Sequence, residues 1–114
     1  MLVACTINID DKTIMTTGGN IGDKLTEDTA VYDFETKSWS EGPKMITGRD
    51  GHGCAKFELE GKPILVVSGG CSGGKSLDSV EILDWQNEQD WIEGIIKEHF
   101  CYGTYFNKTQ LFSR

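Results

Sequence analysis

Apolar and polar positions along this chain fall into short strand-like runs punctuated by turn residues. His52 to Leu59 forms one candidate strand, and Glu60-Gly61-Lys62 a tight turn in which Gly supplies a positive φ. Pro63-Ile-Leu-Val-Val-Ser68 is continuously apolar and β-branched, which predicts a strand buried on both faces. Gly69-Gly70 ends it, because two residues without Cβ allow a sharp turn and a close backbone approach. A Gly/Ser loop from Cys71 to Ser76 leads to a third strand, Asp78 to Asp84, with Val80, Ile82 and Asp84 on one side. Trp91 opens a short fourth. The preceding residues repeat this order: Val3 to Ile9, a turn at Asp10-Asp11-Lys12, then Thr13 to Thr17, Thr29 to Asp33 and Trp39 to Glu41.

The two halves share more than a pattern. Gly18-Gly19 recurs as Gly69-Gly70, 51 positions on, and Asp33 meets Asp84 at the same offset. One residue then enters, so that Trp39-Ser-Glu-Gly42 meets Trp91-Ile-Glu-Gly94 at an offset of 52. A period near fifty residues points to an array of β units. In the first copy, Tyr32-Asp33-Phe34-Glu35-Thr36-Lys37-Ser38-Trp39 closes the third and fourth strands. Asp33 and Thr36 can bond the local backbone there, and Tyr32 and Trp39 flank the turn and bury apolar surface.

The di-glycine after an apolar strand, followed by Tyr-Asp-x-x-Thr-x-x-Trp, resembles the kelch repeat, one four-stranded blade of a β-propeller. The first copy carries Gly18, Gly19, Tyr32, Asp33, Thr36 and Trp39. The second keeps Gly69, Gly70, Asp84 and Trp91 but has Leu83 where Tyr is usual. Gly48-Arg49-Asp50-Gly51-His52-Gly53 also resembles the opening of a blade. The resemblance covers 1–94 and implies an all-β fold: two antiparallel four-stranded kelch-type blades, 1–47 and 48–94, forming a partial, unclosed β-propeller. The tail, 95–114, is either divergent or the start of a third blade. Kelch propellers close with about six or seven blades, so two leave bare faces. The expectation is a fragment that is marginally stable or self-associates through its exposed blade faces.

Composition narrows the function classes. The 114 residues carry a net charge of −7, with 11 Lys and Arg in no cluster, which disfavours nucleic acid and leaves basic peptides as suitable partners. No apolar run reaches membrane-spanning length, and the first residues lack the basic and apolar regions of a leader. The four cysteines lack C-x-x-C spacing and read as reduced, buried thiols in a cytoplasmic protein.

Two chemical readings compete. Gly69-Gly-Cys-Ser-Gly-Gly74-Lys75-Ser76 fits G-x-x-x-x-G-K-[ST], a loop that cradles phosphate, with Lys75 on the outer phosphates and Ser76 on Mg²⁺. It requires a helix over Leu77 to Asp84, which the repeat instead aligns with a strand. The pairs His52/Cys54 and His99/Cys101 offer four nitrogen and sulfur ligands but lack zinc-finger spacing; His52 reads as a packing residue. No catalytic constellation is present, and no cofactor, metal or enzymatic activity is expected.

The resemblance implies protein recognition by blade-rim loops. Many kelch domains select substrates for cullin-RING ubiquitin ligases within BTB adaptors, and others bind actin. The rim positions are the residue after each di-glycine, Asn20 and Cys71, and the lead into the second blade, Arg49 and Asp50. Arg49 is favoured, because a guanidinium can grip a partner carboxylate bidentately. A solvated loop charge or an internal structural hydrogen bond is the competing reading of the same residue.

Overall fold

Both copies fold as antiparallel sheets in the computed structural model, which describes residues 4–21, 24–86, 90–96 and 111–113. The first sheet contains β1 (Cys5–Asn8), β2 (Thr13–Thr17), β5 (Thr29–Asp33) and β6 (Ser38–Glu41), side by side in that order. A small hairpin, β3 (Asn20–Ile21) with β4 (Lys24–Leu25), stands between β2 and β5. The second sheet repeats this with β7 (Gly53–Leu59), β8 (Lys62–Ser68), β11 (Ser79–Asp84) and β12 (Ile92–Ile96). Its small hairpin pairs β9 (Cys71–Ser72) with β10 (Lys75–Ser76), where the sequence reads only as a loop. The second sheet gains a fifth strand from the tail: β13 (Leu111–Ser113) pairs along the free edge of β12. The chain is all-β among the described residues, in two unclosed sheets.

Local chemistry explains the turns. Glu60 and Gly61 both take positive φ, 53° and 77°, between the paired Leu59 and Lys62, the geometry of a two-residue hairpin that matches strand twist. Asp33 Oδ1 accepts the backbone N–H of Glu35 at 2.8 Å and of Thr36 at 3.3 Å. Thr36 turns its hydroxyl to Ser38 instead of the backbone.

The core lies between the sheets. Ile7, Met15 and Val31 share one face of the first sheet and meet Leu65, Val67 and Leu83 of the second, with Ile9, Met45 and Trp91 completing the cluster. Strand alternation sorts these residues, since i and i+2 share a face. The other face of the second sheet buries Val66 and Val80 beneath Phe57 and Ile64.

Two expectations require correction, and two rival readings fall. Cys5 and Cys54 are not thiols: they form a disulfide from β1 to β7, Cα to Cα 6.2 Å, and Cys71 is also disulfide-bonded. The helix that a phosphate loop needs is the strand β11, and Gly73 and Gly74 turn a hairpin ahead of it, so the nucleotide reading fails. Cys54, committed to its disulfide, is not available as a zinc ligand; His99 and Cys101 lie outside the described residues. Trp39 packs at a tilt against Tyr32 but stays 58% exposed, whereas its counterpart Trp91 is buried.

Candidate functional site

The connector 48–52 runs between the two di-glycines, and this explains why those positions lack side chains. Gly19 N–H donates to Arg49 O at 2.8 Å, and Asp50 and Cys71 exchange backbone hydrogen bonds at 3.0 and 2.8 Å. A Cβ on Gly18 would sit 2.5 Å from Arg49 O, and one on Gly70 would sit 2.6 Å from Asp50 O. Both glycines also hold positive φ, so an L side chain there is strained as well as obstructed.

Arg49 turns inward from this connector. It is 0% exposed. Nη1 donates to Gly69 O at 3.0 Å and Ser79 O at 3.1 Å, and Nη2 donates to Ser79 Oγ at 3.1 Å and Glu81 Oε2 at 2.8 Å. The favoured partner-binding residue is thus spent on its own fold, which corrects that expectation in favour of the internal hydrogen-bonding reading. Glu81, which sequence reasoning missed, is the centre of the network. Its carboxylate also accepts Ile46 N–H at 2.6 Å and Thr47 N–H at 3.1 Å. The signal was present: β11 puts Glu81 on the same face as Leu83, and an inward charge requires a partner.

His52 sits beside this network, buried as the sequence indicated. Its Nε2 lies 2.8 Å from Thr17 Oγ1, whose hydroxyl donates onward to Cys5 O at 3.2 Å, so the ring carries its proton on Nε2. Burial, reinforced by the Arg49 charge, pushes its pKa down from 6.5 to about 4; the Thr17 contact opposes the shift. The folded protein keeps His52 neutral where the unfolded chain takes up a proton. Stability is full above the unfolded pKa and falls as pH drops toward 4, by about 3 kcal/mol in all. Urea unfolding midpoints across that range check this, and His52→Gln should flatten the slope.

Three of the four candidate residues meet at the connector. Asn20 Nδ2 donates to Asp50 Oδ2 at 2.6 Å, and Asp50 is bridged to Cys71 through the backbone. Cys71 itself is only 7% exposed, so it contributes backbone and not a contact side chain. Asn20 and Asp50 are half-buried, and Asp50 Oδ1 bonds to no described residue. Asn20 opens the small hairpin β3–β4, and Cys71 opens its counterpart β9–β10, which turns at Gly73 and Gly74. Chemically this is an oriented carboxylate whose second oxygen, unpaired among the described residues, is able to accept a Lys or Arg donor. Among the described residues no group of His, Cys, Asp and Glu could hold a metal. No described helix is long and apolar enough to cross a membrane.

No family profile matches the chain. It is similar to an F-box/kelch-repeat protein of Arabidopsis thaliana, 35% identical over 81 residues, 71% of this chain and 20% of that protein. It is also similar to a kelch repeat and BTB domain-containing protein of Caenorhabditis elegans, 31% identical over 86 residues, 75% of this chain and 14% of that protein. The chain therefore spans a fifth or less of the length of these relatives, and its relationship is to kelch-repeat proteins at the level of the repeat.

Proposed function

We propose that this chain is a kelch-type protein-interaction unit that receives a basic segment of a partner polypeptide at the Asn20–Asp50 rim. The observation that carries the reading is Asp50: Asn20 fixes one oxygen, the other bonds to no described residue, and both residues lie where connector and hairpins meet. The net charge of −7 favours encounter with basic segments. The role is one of recognition without catalysis. Since one relative is named for an F-box and the other for a BTB domain, substrate recognition for a cullin-RING ubiquitin ligase is the setting we assign, within a longer protein. The Cys5–Cys54 bond weighs against that setting as well as against the cytoplasmic location expected from sequence, because cytosolic thiols are held reduced; the rim recognition role does not depend on either.

A peptide array tests the site. Lys- and Arg-containing peptides retained by the wild type should lose about tenfold in affinity on Asp50→Asn, a change of ~1.4 kcal/mol. Asn20→Ala should weaken the same peptides. Retention of an identical peptide set by a folded Asp50→Asn protein would reject the site.

A further inference from the structure

The segment 42–52, which joins β6 to β7, is pinned almost residue by residue, and to both sheets in turn. Gly42 N–H donates to Thr29 O at 3.0 Å. Pro43 O accepts the Thr29 hydroxyl at 2.8 Å and the Trp91 indole N–H at 3.0 Å. Met45 N–H donates to Glu27 O at 2.8 Å, and Glu81 takes the next two N–H groups, those of Ile46 and Thr47. Farther along, Arg49 and Asp50 are tied through their backbones to Gly19 and Cys71.

On this fixed backbone Met45 and Arg49 turn inward and are buried, whereas Ile46 turns outward and is 54% exposed. Both sheets that bound it are present, so its exposure belongs to the junction itself. A single surface isoleucine is ordinary in a protein. This one is held outward by a buried carboxylate that spends an oxygen on its N–H at 2.6 Å. An apolar group presented on a fixed backbone loses little conformational freedom when a partner covers it.

Acid stands on either side of Ile46 along the segment. Toward β6, Lys44 is paired with Asp28 and also lies in the field of Glu27 and Glu41, so that end carries more acid than base. Toward β7 stands Asp50, with one oxygen fixed by Asn20. Ile46 and Asp50 are four positions apart, a reach of roughly 14 Å at full extension. We infer, on the strength of the Asp50 reading, that Ile46 is a second contact of the same rim: it seats an apolar side chain of the basic partner segment, within about four residues of the cation that Asp50 holds. A purely charged tail would satisfy Asp50 and leave Ile46 bare. The two contacts differ in their physics, since the ionic one weakens with salt and the apolar one does not.

Fluorescence anisotropy with the full chain tests this. The probes are Lys peptides retained by the wild type, each made with Leu or Ser at every position within four residues of the Lys. At the favoured spacing the wild type should bind the Leu peptide about fivefold more tightly than its Ser twin, and should keep that ratio as added salt weakens both. Ile46→Ser, shown to be folded by circular dichroism, should bind the two equally yet still prefer Lys to Ala at the basic position. Ile46→Val should retain most of the ratio. Asp50→Asn should do the reverse of Ile46→Ser, losing the preference for Lys and keeping the one for Leu. Equal binding of Leu and Ser peptides by the wild type at every spacing overturns the inference and leaves the Asp50 reading standing, as does an Ile46→Ser chain with the wild-type ratio. An Asp50→Asn chain that still prefers Lys rejects the rim itself, and the apolar contact with it.

Discussion

Glu81→Ala should destabilise the protein by about 3–5 kcal/mol, the cost of stranding a buried charge. Arg49 has no exposed surface, and Glu81 supplies its only countercharge among the described residues, at 2.8 Å. The same substitution orphans the N–H groups of Ile46 and Thr47, which donate to that carboxylate. A loss of this size approaches the whole stability of a small domain, so a largely unfolded variant at ambient temperature is the expected result. Urea denaturation with far-ultraviolet circular dichroism measures it. Glu81→Gln should cost less, because an amide oxygen still accepts one of the donors. Replacing both charges, Arg49→Met with Glu81→Leu, should recover part of the loss, since a buried ion pair contributes little beyond its apolar replacement. A cost below about 1 kcal/mol for Glu81→Ala would show that the pair is not the buried anchor described here.

Reduction of the Cys5–Cys54 bond is the second large effect. The bond closes a segment with a sequence separation of 49 and joins the edge strand of each sheet across the core. Loop-closure entropy assigns about 4 kcal/mol to a crosslink of that span, through the unfolded chain. Thermal melts with and without reductant, alongside Cys5→Ser and Cys54→Ser, should show a downward shift of that order for all three conditions. The variants should no longer respond to reductant at this bond. Equal melting temperatures throughout would mean that apolar burial between the sheets suffices alone. Because the crosslink acts on the unfolded state and Glu81 on the folded one, the two losses should add, within the limits set by separation of the sites.

The strands were legible where their edges carry chemistry. β2 and β5 fall on Thr13–Thr17 and Thr29–Asp33 as read, because a turn or a di-glycine bounds an apolar β-branched run. β11 keeps Val80, Ile82 and Asp84 on one side, as its alternation indicated. The small hairpin β9–β10 was not legible, since Gly73 and Gly74 in a Gly/Ser run carry no alternation. The disulfide was hidden for a different reason: Cys5 and Cys54 meet only once two sheets stack, which spacing does not encode. The repeat placed Arg49 on the connector, but the direction of a long side chain depends on what lies within reach, and a buried carboxylate lay there. Trp39 shows the converse. Its type and position match Trp91, but burial is a property of the neighbour, and only Trp91 has a sheet set before it.

The grip of Glu81 on residues 46, 47 and 49, and of Trp91 on Pro43, bears on where one modular piece stops and the next starts. Sequence periodicity invites a cut just after residue 47, yet such a cut would tear the later module from two backbone donors to its own acid. What can be transplanted intact is a staggered tile: four strands together with the last few residues of whatever stands upstream, so that every insertion carries its mortar with it.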